Sequence, residues 1–178
     1  SGLLRALREV TAFAVDLETT SLNPLEAEVV GLSFSWHEHE AFYIPVGHHY
    51  SDAPAQLSRE EVLGGLASIL RDANRQKIGQ NIKYDYQVLR RYGIEMQGIR
   101  FDTMLASYLL NPVRSSHGLD SLAIEYLDHR MISYAEVAGK GKDQICFSRV
   151  PVERASVYSC EDADATLLLH GLFSPRIE

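Results

Sequence analysis

The stretch TAFAVDLETT at residues 11–20 decides the fold, because an apolar run ends there in two acids separated by one residue. The apolar run is typical of a buried β-strand. Side chains alternate along a strand, so Asp16 and Glu18 are expected on the same face. Two neighbouring carboxylates repel each other unless a proton or a cation lies between them. The stretch therefore raises the question of whether other segments supply further acids for a metal site.

Two later segments do supply such acids. The segment GQNIKYD at 79–85 follows a short apolar start and contributes Asp85, whereas YSCEDAD at 158–164 lies inside a long helical pattern. Tyr158 and Asp162 are four residues apart and therefore share a helix face. Hard oxygen donors of this kind suit Mg²⁺ or Mn²⁺ rather than a zinc site. A pair of such ions is the usual means of promoting in-line attack of water on a phosphodiester. The candidate set is Asp16, Glu18, Asp85, Tyr158 and Asp162.

Composition and charge limit the class of protein. The 178 residues are 46% hydrophobic and 23% charged, which predicts one soluble globular domain with a sizeable core. No stretch is apolar and long enough to span a membrane, and Cys146 and Cys160 form no disulfide framework, so a cytoplasmic location is expected. The net charge of −7 argues against tight nucleic-acid binding unless bound cations offset the acids. The basic residues considered for phosphate contacts are Lys77, Lys83, Arg90, Arg91, Arg114, Lys140 and Lys142.

Hydrophobic periodicity and turn signals predict an α/β domain with a mixed sheet. The predicted strands are 11–17, 28–35, 41–46, 76–79 and 98–101. The predicted helices are 59–72, a segment through Tyr84 to Leu89, 102–110, 119–127, a short one after Ser133, and 151–172. Capping boxes of the form Ser-x-x-Glu mark Ser58 and Ser133 as helix N-caps. The first three strands can form an antiparallel meander, and helix 59–72 crosses back to the sheet.

Three short motifs resemble those of the DEDD exonuclease superfamily, tyrosine type. They are Asp-x-Glu at 16–18, Asn-x-x-x-Asp at 81–85 and Tyr-x-x-x-Asp at 158–162. The sister type carries a histidine five residues before the last aspartate, where this chain has Val157. Over roughly residues 10–172 the chain is similar to the 3′→5′ exonuclease (proofreading) domain of bacterial DNA polymerase I, family A. This resemblance implies a single domain over 1–178, excised from a larger polymerase, with a ribonuclease H-like mixed β-sheet of about five strands flanked by helices.

The resemblance also implies the roles of the acids and the tyrosine. Two divalent metal ions are expected, Mg²⁺ first, with Mn²⁺ or Zn²⁺ as alternatives. Asp16, Glu18 and Asp162 would hold the first ion, and Asp16 and Asp85 the second. Tyr158 and Glu18 would orient the attacking water, because a neutral tyrosine is a poor general base at neutral pH.

Five further residues match positions that line the groove for the 3′ end of the substrate. Leu22 would act as an apolar wedge beside the terminal base, and Tyr84 and Phe147 would stack on bases, since every base offers a π-face. The remaining two are Gln80 and Asn81.

The chain departs from the family pattern at two places. Ser116 stands where an arginine is expected before His117, so phosphate contact there is in doubt unless Arg114 replaces it. His117 itself could be structural or could touch a phosphate. Ser159 and Cys160 stand where two alanines are usual, and little effect is expected because both are small. The other histidines considered, His37, His39, His48 and His49, are predicted to lie on the surface.

The sequence therefore predicts a 3′→5′ exonuclease that hydrolyses DNA from its 3′ end and proofreads for replication or repair synthesis. Its expected partners are the single-stranded or frayed 3′ end of DNA and the polymerase domain of the same parent chain, in a bacterial cytoplasm near the nucleoid. One rival is an RNA 3′-exonuclease of the ribonuclease D kind, which uses the same chemistry. The other is a catalytically silent structural or DNA-holding domain, which would be expected to have lost metal ligands.

Overall fold

The computed structural model describes residues 2–177 and contains one five-stranded mixed sheet flanked by helices. The strands are β1 Ala12–Thr19, β2 Val29–His37, β3 Glu40–Pro45, β4 Gln76–Gly79 and β5 Ile99–Asp102. The α-helices are α1 Gly2–Glu9, α2 Arg59–Leu70, α3 Ile82–Arg91, α4 Thr103–Leu110, α5 Leu119–Leu127, α6 Tyr134–Ala138 and α7 Val152–Ile177. The predicted α/β class and the five predicted strands are confirmed.

The strand order is β3-β2-β1-β4-β5, which places the motif strand β1 at the centre. β1, β2 and β3 form the predicted antiparallel meander, whereas β4 pairs parallel to β1 and β5 parallel to β4. Asp16 lies opposite Ser33 and Glu18 opposite Gly31, and the register shifts immediately after Glu18. The two acids therefore stand at the end of the regular ladder of the central strand, next to the loop that follows it.

The two faces of the sheet differ in chemistry because side chains alternate along each strand. One face carries Phe13, Val15 and Leu17 and packs with α2 and α3 into the main hydrophobic core. The opposite face carries Asp16 and Glu18 and is covered by α7, which contacts β1, β2 and β3. The site is thus formed between the sheet and its last helix.

Local sequence signals set the starts of several helices. Ser58 and Glu61 form the predicted capping box of α2, and Ser133 and Glu136 form that of α6. The side chain of Asp102 caps α4 by accepting from Met104 N at 2.9 Å. Such caps satisfy backbone N–H groups that the first helical turn leaves without partners.

Two features at the ends of the chain were not predicted. Helix α1 buries Leu7 and places Leu3 and Leu4 against the main core. Helix α7 continues past the predicted end at 172, and Pro175 lies in its last turn. Proline removes a backbone donor and is costly mainly in a helix interior, so its position close to the end is tolerated. None of the described helices has the length and hydropathy needed to cross a membrane.

Candidate active site

Three carboxylates from distant segments meet between β1 and α7. One oxygen each from Asp16, Glu18 and Asp162 lies within 4.8 Å of the other two. β1 supplies two of these acids because residues 16 and 18 share its face, and α7 supplies the third because it crosses that face. Oxygen donors at this spacing can share one cation.

Asp85 adds a fourth acid from the first turn of α3 and is buried. The turn before it places Asn81 in the left-handed region, with φ 58°. Asp102 holds this turn by accepting from the backbone N–H groups of Asn81 at 3.1 Å and Ile82 at 3.0 Å. The charge of Asp16 is near enough to raise the pKa of Asp85, so the two carboxyls interact electrostatically.

Burial and mutual repulsion make ionisation of this cluster costly. Burial raises the pKa of Asp16 from its usual value near 4 to about 6. Burial, together with the charge of Asp16, holds the pKa values of Glu18, Asp85 and Asp162 well above their usual range. Protons or cations must therefore neutralise the cluster. An all-oxygen donor set with this electrostatic demand fits a divalent cation such as Mg²⁺, and the arrangement indicates divalent metal use.

Tyr158 lies one helical turn before Asp162 and is half-buried beside the cluster. Its hydrogen bond to the carboxyl of Asp162 partly offsets the rise in the pKa of that acid. Burial and the nearby charge of Asp162 push the pKa of the Tyr158 phenol far above its usual value. The phenol is therefore protonated at neutral pH, so it can donate a hydrogen bond but cannot act as a general base.

Ser159 contacts Glu18 through a hydrogen bond that was not predicted. Its Oγ donates to Glu18 Oε1 at 2.7 Å, and both side chains are buried. The expectation of little effect at this position considered only the size of the side chain. The spacing in sequence offered no signal, because the two residues lie 141 positions apart.

Asp16, Glu18 and Asp162 line a cleft of about 470 Å³. Of the predicted substrate-binding residues, Leu22, Asn81 and Tyr84 line this cleft, and the Leu22 side chain is 96% exposed. Tyr84 Oη donates to the Ser21 carbonyl and lies 2.5 Å from Thr19 Oγ1, which holds its ring against the loop after β1. These three residues and the acids therefore share one cavity.

The other two predicted substrate-binding residues, Gln80 and Phe147, are not among those that line the cleft. Phe147 is only 1% exposed, with its ring centroid 5.9 Å from that of Tyr158 and 6.1 Å from that of Tyr134. Gln80 Nε2 donates to the His117 carbonyl at 2.9 Å, and its Oε1 accepts from Thr103 Oγ1 at 2.5 Å. In this conformation Phe147 packs against two residues that line the cleft, and Gln80 is hydrogen-bonded to residues that do not line it.

Residues that the sequence analysis did not single out form the other wall. They are Tyr134, Gln144, Ile145 and Cys146. Tyr134 is 38% exposed and is the first residue of α6, directly after the Ser133 cap. The sequence signal for it was therefore an aromatic residue that follows a predicted helix cap. The other three lie in the segment between α6 and α7, and no periodic pattern marks them.

Two basic residues considered for phosphate contacts are occupied by internal bonds. Arg114 forms an ion pair with Glu125, donates to Ser121 O at 2.9 Å, and its side chain is 10% exposed. Its internal contacts hold it within the α4–α5 region. Lys77 is buried, with Nζ donating to the carbonyls of Asp72 and Arg75.

The predicted surface location of His48 is wrong. This ring is buried, Nδ1 donates to the Val150 carbonyl at 2.8 Å, and Nε2 accepts from Tyr43 Oη at 2.7 Å. Burial lowers the pKa of His48, which favours this neutral tautomer. His37, His39 and His49 are exposed as predicted. His117 is buried, with Nδ1 2.8 Å from Ser107 Oγ, which favours its structural interpretation.

Comparisons with known proteins agree with this geometry. A family model described as 3′-5′ exonuclease matches residues 1–178. DNA polymerase I of Pseudomonas aeruginosa is 42% identical over 177 residues, which cover 98% of this chain and 19% of that protein. The chain spans about a fifth of the length of the curated relatives that it matches first.

Solved structures show the same fold at lower sequence identity. Escherichia coli RNase D, an exoribonuclease involved in structured RNA processing, has a TM-score of 0.70 and 16% identity over 98% of this chain and 41% of its own. Brucella melitensis NrnC with bound Mg²⁺ has a TM-score of 0.68 and 23% identity, covering 95% of this chain and 74% of its own. The solved structures identify only the fold. The family match over the whole chain and the 42% identical relative also identify the family. The chain belongs to the 3′-5′ exonuclease family and is an exonuclease domain of the DNA polymerase I type.

Proposed function

We propose that this domain hydrolyses DNA stepwise from its 3′ end with two divalent cations, and that it proofreads for the polymerase domain of its parent chain. One observation carries the proposal: three carboxylates from β1 and α7 converge in a cleft that is open to solvent, and a fourth, Asp85 of α3, lies within electrostatic reach of Asp16. A merely structural domain gains nothing from such a cluster, because burying unneutralised acids costs stability.

The acids divide into two overlapping cation sites. Asp16, Glu18 and Asp162 would hold one cation, and Asp16 and Asp85 the other, so Asp16 contributes to both. Bound cations of this kind lower the pKa of a coordinated water and offset the charge of the leaving oxygen. Mg²⁺ is the expected ion, with Mn²⁺ or Zn²⁺ as alternatives. The raised pKa values of the acids support the proposal, since cations would relieve the same repulsion that protons relieve.

Tyr158 would position the attacking water instead of deprotonating it. Its phenol remains protonated at neutral pH, and its hydroxyl is tied to Asp162. Glu18 stands across the cluster on β1 and could accept a hydrogen bond from the same water. Orientation of this kind contributes to the rate because a reacting pair already in line needs no further ordering.

The cleft walls suit a single-stranded 3′ end. Leu22 projects into solvent beside the acids, in a position to wedge against the terminal base. Asn81 and the rings of Tyr84 and Tyr134 line the same cavity, and aromatic stacking accepts any base. Gln80 and Phe147 would support this surface from behind. Selectivity for errors would then come from the few kcal/mol needed to unpair an end, a cost that is smaller for a mismatch.

The ribonuclease D alternative shares the chemistry and differs in the sugar. An RNA enzyme would need a pocket that senses the 2′-OH. The likeness to RNase D is one of fold, whereas the 42% identical relative is a DNA polymerase, which supports DNA as the substrate.

The test uses 5′-labelled DNA and RNA single strands of one sequence, incubated with Mg²⁺. We expect stepwise shortening of the DNA from its 3′ end, lost with EDTA and reduced more than about 100-fold by Asp16→Ala, since even outer-shell changes at metal sites cost 10–100-fold. The matched control is Asp164→Asn on α7, an acid outside the cluster that accepts from His39 N at 2.7 Å and should leave the rate unchanged. Degradation of RNA alone would favour the ribonuclease D alternative. Degradation of neither strand by a chain that binds cations would favour the silent domain.

A further inference from the structure

The acids of the cluster differ in how they are held. Asp16 and Asp162 have short side chains, whereas Glu18 has an additional rotatable bond and loses more freedom when it is fixed. On the neighbouring strand Gly31 lies opposite Glu18, and the hydroxyl of Tyr43 fills the space above that glycine. The hydrogen-bond partner that the structure gives the Glu18 carboxylate lies outside the sheet.

Ser159 is that partner. Its side chain is completely buried in α7, and its Oγ donates to Glu18 Oε1 at 2.7 Å. Glu18 is itself 7% exposed, so little water competes for this oxygen. A hydrogen bond to a charged group in such surroundings is stronger than one between neutral groups. The contact fixes one oxygen of Glu18 and leaves Oε2 for another ligand.

We propose that Ser159 is a positioning residue that makes Glu18 a one-oxygen ligand and thereby favours Mg²⁺ over Ca²⁺. This inference rests on the proposed cation site. Mg²⁺ requires near-octahedral geometry with short bonds, which one oxygen from each carboxylate satisfies, whereas Ca²⁺ readily takes both oxygens of a carboxylate. The bond from Ser159 occupies one lone pair of Oε1 and fixes the orientation of the carboxylate, so chelation through both oxygens is less favourable than in an unrestrained glutamate.

The contact also explains a departure from the family pattern. Alanine at position 159 would fill most of the same space, but it could not bond to Glu18. The serine therefore adds a specific restraint to a metal-ligating residue, without changing the packing of α7 against the sheet. Outer-shell partners of this kind tune affinity because they orient the ligand before the ion arrives.

The experiment measures cation binding directly, without DNA. Free Mn²⁺ is followed by electron paramagnetic resonance while it titrates the chain, and Mg²⁺ or Ca²⁺ is then added as a competitor. The variants are Ser159→Ala, Ser159→Cys and the control Ser156→Ala. Ser156 lies one turn earlier in α7 and bonds to the carbonyl of Glu153 in its own helix. Thermal melting of each variant confirms that it is folded.

We expect the ratio of Mg²⁺ to Ca²⁺ affinity to be higher in the unchanged chain than in a cluster whose Glu18 carboxylate has no bond from Ser159. Ser159→Ala should lower the ratio of Mg²⁺ to Ca²⁺ affinity about tenfold, in the range found for outer-shell changes. Ser159→Cys should behave like Ser159→Ala, because a thiol fills the space but is a weak donor. Ser156→Ala should keep the original ratio.

Two results would overturn the inference while leaving the cation site intact. One is an unchanged ratio in Ser159→Ala, and the other is a normal ratio in Ser159→Cys, which would assign the effect to packing. Failure of the unchanged chain to bind Mn²⁺ at all would instead overturn the proposed cation site, and the inference with it.

Discussion

The two faces of the central sheet follow opposite rules. On the face covered by α2 and α3, Leu17 lies opposite Leu32 and Val15 opposite Phe34, and all four side chains are buried hydrocarbon. On the face covered by α7, the same two strands pair Asp16 with Ser33 and Glu18 with Gly31. One strand pair thus has two different sides: a hydrocarbon face, which carries Val15 and Leu17 and belongs to the core, and a reactive face, which carries Asp16 and Glu18.

The second face carries a stability cost that the first does not. Its acids have raised pKa values, and the buried Ser33 Oγ has no hydrogen-bond partner among the described residues. Unpaired buried polar groups typically cost about 1–3 kcal/mol each. The comparison teaches that the hydrocarbon face stabilises the domain sufficiently for the other face to hold groups that destabilise it.

The largest expected effect comes from damaging the hydrocarbon face. Phe34 is completely buried and its ring lies 5.8 Å from that of Phe13. Phe34→Ala should lower the free energy of unfolding by about 3–5 kcal/mol, through lost burial and the cavity left behind. Urea denaturation measures this, with Leu109→Ala, an exposed position on α4, as the control that should change little.

The same variant also tests whether the faces are separate. At a temperature where Phe34→Ala is folded, its exonuclease rate per folded molecule should match that of the unchanged chain. A loss of rate in fully folded protein would mean that the hydrocarbon face also shapes the site, and the comparison would fail.

A smaller effect is expected from crowding the reactive face. A Cβ at Gly31 would lie 2.0 Å from Tyr43 Oη, which also bonds to His48 Nε2 at 2.7 Å. Gly31→Ala should therefore displace Tyr43 and lower the free energy of unfolding by about 1–3 kcal/mol. It should also reduce activity, since position 31 pairs with Glu18.

A matched glycine provides the control for that substitution. Gly64 lies in α2, and a Cβ there would meet nothing within 4 Å. Gly64→Ala should stabilise the domain by up to about 1 kcal/mol, because alanine favours a helix interior. Equal effects of the two substitutions in denaturation would contradict the tight contact described for Gly31.

Sequence patterns predicted the features that depend on nearby residues. The caps at Ser58 and Ser133 and the three-stranded meander follow from spacings of a few residues, and the structure confirms them. The same spacing put Asp16 and Glu18 on one face of a strand. These inferences succeed because local backbone geometry alone determines them.

Contacts between distant segments were not predictable in this way. Tyr134 on the cleft wall, the bond from Ser159 to Glu18 and the buried His48 all depend on how loops and α7 pack on the sheet. The burial of Phe147 against Tyr134 and Tyr158 was likewise not visible in the sequence, and its predicted role in binding the 3′ end stays a prediction. Which aromatic ring faces the cavity is decided by tertiary packing.

The central claim is that the reactive face costs stability because its acids are held close together in buried or partly buried positions. Acids with a higher pKa in the folded chain than in the unfolded chain bind more protons when folded, so stability falls as the pH rises through that interval. For Asp16 the interval runs from about 4 to about 6, and the raised pKa values of Glu18 and Asp162 contribute in the same direction. Mg²⁺ should restore stability at high pH by binding only the folded state.

The most direct measurement is the free energy of unfolding of the unchanged chain and of Asp162→Asn, in EDTA at pH 5 and at pH 8. We predict that the unchanged chain loses stability between these values, and that Asp162→Asn is more stable than it by about 1 kcal/mol or more at pH 8, with a smaller difference at pH 5. If Asp162→Asn is less stable than the unchanged chain at pH 8, the account is contradicted, because Asp162 would then stabilise the fold instead of destabilising it.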